Sequence, residues 1–250
     1  MGITSKASVG KALAFMLFSA TAFPVCAQVV TYSNRGTFNA AAPGSTLVDF
    51  EAGSITTPST GDSFAGPLNS TTNNSVFSTG AIPAGISFDN SCIATNLTLV
   101  GPGFDTGGWS STGGLPSKGL MPNSDACSLN FQFTTPVYAL GLDIFAESNY
   151  GYRVSLYGAA NALIGHYDGT AGETVAGFLG VVSSTPIYQA IVKAPSGTDT
   201  GAFEVIDNVA FNTAMPAPAV NVPTLSTLGL ILSALTLLAT GAYVVQKRNT

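Results

Sequence analysis

Charge is scarce in this chain, and so are the residues that most chemistry is built on. Asp, Glu, Lys and Arg make up 8% of 250 residues, with one histidine, one tryptophan and three cysteines. A Ser–His–Asp arrangement needs an imidazole, and the one available, His166, stands in His166-Tyr167-Asp168 with no G-x-S-x-G elbow anywhere. A zinc centre lacks ligands, since there is no CxxC pair and no second histidine. Phosphate-loop and dinucleotide fingerprints are missing too. A glycan-active hydrolase needs only two carboxylates, and thirteen exist, but no pair among them stands out. The expectation is a non-enzymatic protein, with such a hydrolase as the lesser alternative.

The few charges are unevenly placed. All thirteen carboxylates lie in residues 28–220, with only Arg35, Lys118, Arg153 and Lys193 beside them, a formal charge of −9 for that stretch. So acidic a body excludes nucleic acid as a partner and is compatible with divalent cations.

Both ends are apolar. Lys6 and Lys11 precede the run Ala12–Phe23, and Val25-Cys26-Ala27 ends in a small residue, the pattern of a secretory signal peptide at residues 1–27, cleaved after Ala27. Val25 does not suit a lipidated cysteine at Cys26. Residues 225–245 contain no charged side chain and would reach about 30 Å as a helix, the thickness of a bilayer core. Lys247 and Arg248 follow, which places the C-terminus in the cytoplasm and the body outside. Residues 214–221 form a Pro/Ala-rich linker between body and span.

The tail resembles a known signal. Val222-Pro223-Thr224-Leu225, then Gly229, the apolar span and Lys247-Arg248 are similar to the IPTL-CTERM sorting signals of Gram-negative bacteria, relatives in design of PEP-CTERM signals. The likeness covers residues 222–250, with Val222 in place of the usual Ile. It implies export, insertion in the inner membrane, processing by an exosortase-like enzyme, and delivery to the envelope, cell surface or extracellular matrix.

Residues 28–213 read as one all-β domain. Leu129–Phe133 alternates apolar with polar, and Val137–Phe145, Tyr152–Tyr157, Ala162–His166, Phe178–Val182, Ile187–Val192 and Ala202–Phe211 follow between Gly, Pro, Ser and Asn clusters. Such spacing predicts an antiparallel β-sandwich of the jelly-roll or lectin-like kind. Arg35–Ala42 reads as a short helix and Leu47–Glu51 as a strand, whereas Gly53–Gly80 and Gly101–Asp125 read as irregular. Val48-Asp49-Phe50-Glu51, Phe133-Thr134-Thr135-Pro136-Val137 and Ile206-Asp207-Asn208-Val209-Ala210-Phe211 resemble stretches of exported β-sandwiches that precede CTERM signals. They are also similar to calcium-containing jelly rolls, including MAM-like and carbohydrate-binding modules.

Three sites follow. Cys92 and Cys127, the cysteines left after the signal peptide, are expected to pair in an oxidising compartment. Asp207 alternates with Phe203, Val205, Val209 and Phe211, so a regular strand would point its carboxylate into a core. A structural calcium held by Asp49, Glu51, Asp207 and Asn208 would compensate it; the alternatives are a bulge that turns it outward or backbone N–H donors. Trp109 and Phe104 on the Gly-rich stretch offer an aromatic platform for a glycan or a protein. The expected role is structural, adhesive or matrix-forming, with carbohydrate binding to extracellular polysaccharide as the alternative.

Overall fold

The computed structural model describes residues 28–56, 61–92, 96–104, 115–124, 126–146, 151–171, 176–194 and 204–215. The expected signal peptide, most of the expected linker, the expected sorting tail with its span, and Trp109 lie outside the described residues. Among the described residues no helix is long and apolar enough to cross a membrane.

In chain order the elements are β1 (Val29–Tyr32), α1 (Arg35–Ala41), β2 (Thr46–Val48), β3 (Asp62–Phe64), β4 (Leu68–Asn69), β5 (Ile86–Asn90), β6 (Leu97–Val100) and β7 (Gly119–Pro122). There follow β8 (Leu129–Phe145), β9 (Gly151–Tyr157), a 3-10 turn (Ala159–Asn161), β10 (Leu163–Thr170), β11 (Gly177–Lys193) and β12 (Val205–Asn212). Every strand pairing is antiparallel.

Two strands decide the architecture. β8 and β11 are each 17 residues long and pair twice, residues 139–144 with 177–182 and residues 129–132 with 189–192. Between these blocks the register shifts, at Pro136 in one strand and Pro186 in the other. Proline brings no N–H to a ladder, so it belongs where pairing is interrupted. The parity of the core side chains changes there as well. Leu129, Phe131 and Phe133 face the core before the break, and Leu140, Leu142 and Ile144 after it. Each strand thus serves two layers. The first layer runs β1-β11-β8-β12-β7-β6-β3 with β2 also on β12; the second runs β10-β9-β11-β8-β5-β4. Their inner faces share one core, joined by the ring pairs Phe133–Phe211 at 5.8 Å and Phe50–Phe88 at 5.3 Å. The result is a β-sandwich.

The outer face of the first layer is covered. Asn34 caps α1 by accepting from the Thr37 amide, and the helix lays Phe38 and Ala42 over Ala139, Val182 and Ala210. Phe38 fits because Gly141 and Gly180, directly paired across β8 and β11, leave the sheet bare beneath it. A Cβ at either would stand 2.6 Å from the Phe38 ring. Farther along the same face, Phe104 and Leu115 close a second cluster with Val100, Met121, Phe145 and Val205.

Cys92 and Cys127 form the expected disulfide, with Cα atoms 5.6 Å apart. They flank the Asn90–Leu129 pair of β5 and β8, so the bridge closes the excursion that contributes β6 and β7 to the opposite layer.

Two stability measurements follow. Gly141→Ala should destabilise the protein by about 1–3 kcal/mol, the usual cost of overpacking, and pairing it with Phe38→Leu should recover part of the loss in chemical denaturation. The Cys92→Ser/Cys127→Ser double variant should lose about 3–4 kcal/mol, the closure entropy of a loop of this length. An unchanged denaturation midpoint would contradict that estimate.

Candidate functional site

The stretch from Asp49 to Gly53 is a turn rather than the end of a strand. Asp49 Oδ1 accepts the Glu51 N–H at 3.2 Å, Phe50 takes a left-handed backbone at φ 55°, and Gly53 N–H donates to Phe50 C=O. Burial of the Phe50 ring, 1% exposed, holds this conformation, which costs a residue with a side chain about 1 kcal/mol or more. Asp49 and Glu51 therefore do not share a strand face. Asp49 is exposed, while Glu51 accepts the Lys118 N–H at 3.0 Å and lies 3.8 Å from its ammonium.

Asp207 is buried, 2% exposed, but not through simple alternation. The pairing of β12 with β8 shifts between Asp207 and Ala210, and Asn208 is left-handed at φ 49°. Before this bulge Ile206 faces the shared core; after it Val209 and Phe211 do. Asp207 consequently lies with Val205 on the outer face of the first layer, opposite Asp143 of β8. Ser117 Oγ donates to its Oδ2 at 2.6 Å, and Asn208 N–H to its Oδ1 at 2.6 Å. The Asn208 amide bridges the two carboxylates, donating to Asp143 at 3.0 Å and to Asp207 at 3.1 Å. Arg35, in the first turn of α1, closes the group. It pairs with Asp143 at 2.9 Å, donates to Asn208 C=O at 2.9 Å, and lies over the Phe178 ring.

The four expected calcium ligands are dispersed in this arrangement. Asp207 and Asn208 meet Asp143, Glu51 turns to Lys118, and Asp49 closes its own turn. Among the described residues, no three His, Cys, Asp or Glu side chains converge as metal ligands. Burial pushes the Asp207 carboxyl up to about 6. The Ser117 hydroxyl and the Asn208 backbone N–H oppose this, and the Asp143 and Glu51 charges add to it. Phe104, half of the expected aromatic platform, is 8% exposed and packs inward in the second cluster.

The second layer is different, because neither helix nor described loop lies across most of its outer face. Residues in register across six strands form a row of Leu163, Tyr157, Gln189, Gln132, Ser87 and Asn69. A parallel row holds His166, Ser155, Ile191, Asn130 and Asp89, and beyond it stand Asp168, Arg153 and Lys193. Gln132 is exposed and Tyr157 and Gln189 are half-exposed, and among the described residues neither glutamine side chain makes a hydrogen bond. At ~4.8 Å per strand the row spans roughly 24 Å. The alternate polar positions Asn130 and Gln132 already mark this face in the sequence; their alignment with Gln189 and Tyr157 is non-local and left no sequence signal.

His166 has a partner that the sequence did not suggest. Its Nδ1 lies 2.8 Å from the Ser155 hydroxyl, which is buried beneath it. Asp168 gives both oxygens to Arg153, at 2.7 and 2.8 Å, and that guanidinium holds its carboxyl below the usual range. This pairing leaves Asp168 turned to arginine rather than to the imidazole, so the three residues do not form a relay.

No family model and no curated protein matches the chain. Among solved structures, a family 29 carbohydrate-binding module from Piromyces equi gives a TM-score of 0.32 at 10% identity, covering 76% of this chain and 93% of that one. A family 6 carbohydrate-binding module gives 0.30 at 9%, covering 60% and 95%. The CBM22-1–GH10 modules of Clostridium thermocellum xylanase 10B, complexed with xylohexaose, give 0.30 at 15% identity over 51% of this chain, which spans only 26% of that structure. At such values neither fold nor function transfers from them.

The raised Asp207 carboxyl predicts a pH dependence. Between about pH 4 and 6 Asp207 holds a proton in the folded chain that it has lost in the unfolded one, so its own contribution to stability is greatest at the acid end and falls as the pH rises through 6. The loss attributable to Asp207 is about 3 kcal/mol. Urea denaturation across this range should show that slope in the wild type and a flatter one in Asp207→Asn.

Proposed function

We propose that this protein is exported and acts at the envelope, cell surface or extracellular matrix as a non-enzymatic, adhesive β-sandwich that binds glycan. The observation that carries the reading is the open outer face of the second layer. Its row of Tyr157, Gln189 and Gln132, continued by Ser87, combines amides that both donate and accept with an aromatic ring. A polysaccharide offers the complement, hydroxyls at the edge of each sugar and apolar C–H on its faces. A bare aliphatic surface would suit a protein partner; this one is mostly polar, with Tyr157, a central Ile191 and the exposed Leu163 at one end. A row roughly 24 Å long would engage a chain of several sugars rather than one.

Export is supported by the two apolar termini and by the Cys92–Cys127 pairing, which fits an oxidising compartment. The sorting tail would deliver the module by way of the inner membrane and an exosortase-like enzyme. The jelly-roll kinship inferred from the short sequence likenesses belongs to the same reading.

Affinity electrophoresis of the purified protein against a panel of neutral and acidic polysaccharides provides the test. At least one polymer should retard the protein, and Gln132→Ala with Gln189→Ala should weaken that binding by about tenfold, a loss of two polar contacts, at unchanged melting temperature. Retardation by no polymer in the panel would end the glycan reading.

A further inference from the structure

Where the free edges of β1 and β10 diverge, the sandwich leaves a polar cleft of ≈ 640 Å³, within the size range of small-molecule sites. Thr31 and Ser33 line one side and Thr170 the other, with Phe178 between them as an apolar surface. Tyr152 and Tyr167 also line it. Their position depends on missing side chains. A Cβ at Gly169 would stand 2.3 Å from the Tyr152 ring and hydroxyl, one at Gly177 2.8 Å from the same ring, and one at Gly165 2.8 Å from the Tyr167 hydroxyl.

Tyr152 is 4% exposed, yet its hydroxyl makes no hydrogen bond among the described residues. Its oxygen is not among the buried polar atoms left without a partner, so solvent or a ligand can reach it, and the residue lines the cleft. Burial raises both phenols above their usual range, so they stay neutral donors. The cleft's carboxylate, Asp168, is already neutralised by Arg153. The site therefore asks for an uncharged ligand that is rich in hydroxyls and has an apolar side.

We infer that this cleft is a second ligand site, which takes a single neutral sugar residue through a hydrogen bond to the Tyr152 hydroxyl, with Thr31, Ser33 and Thr170 around it. It is separate from the open face, since Tyr157, Gln189 and Gln132 are not among the residues lining it. The two sites differ in what they hold, an extended chain on the face and one sugar unit, such as a chain terminus, at the edge.

Ligand-observed NMR of the full purified protein with a set of methyl glycosides at millimolar concentration tests this. At least one glycoside should bind. Tyr152→Phe, which removes only an oxygen, should weaken it about tenfold without lowering the melting temperature. Tyr157→Ala should leave glycoside binding intact while reducing retardation by polymer. The inference is overturned if no glycoside binds the wild type, or if Tyr152→Phe binds as the wild type does. Glycoside binding without polymer binding would uphold the cleft and remove the open face.

Discussion

Both layers of the sandwich hang on one pairing, β8 against β11, which continues through an interruption at Pro136 and Pro186. On one side of that interruption these strands form the centre of the first layer, on the other the centre of the second. Helix α1, the short strands β2 to β7 and β12 are added around that frame. The bulky inward side chains follow the parity change, so a single core, from Phe131 and Phe133 to Leu142 and Phe211, fills the space between. The frame also explains why the two outer faces differ. The paired glycines Gly141 and Gly180 create a shallow seat on one side for Phe38, and nothing comparable among the described residues covers the row around Gln132 and Gln189 on the other.

The buried charge at Asp207 belongs to the covered side. It lies where α1, the segment around Ser117 and the bulge of β12 come together, and each supplies one partner: Arg35 through Asp143 and Asn208, Ser117 directly, and the Asn208 amide. Desolvation opposes the ionised carboxylate there, and hydrogen bonds offset only part of it. Such a group contributes more to fixing how three elements meet than to net stability.

Much of the frame was legible in the sequence because alternation survives in half-buried strands. Leu129–Phe133 and Val137–Phe145 stand out this way, as do Phe178–Val182 and Ile187–Val192, although each pair proves to be one strand passing through a proline. Helix α1 and the disulfide were equally visible. Leu97–Val100 and Gly119–Pro122 were not, since all their residues are buried and show no alternation; Asp62–Phe64 and Leu68–Asn69 are too short to produce a pattern. The alternation argument placed Asp207 against a core and found it buried, but the left-handed Asn208 moved it to the opposite face, which no local pattern announces. The open face and the cleft depend on register between distant strands and on what glycines omit. Neither is written in any contiguous segment.

β12, the last described strand, lies inside its layer rather than at an edge, with β8 along one side and β2 and β7 along the other. Tension applied through the chain that continues beyond it would be divided between two ladders at once. A strand held on both flanks must shear many bonds together, whereas an edge strand such as β10 can be unzipped one bond at a time. A pull from this end would therefore meet a strand that is bonded on both flanks.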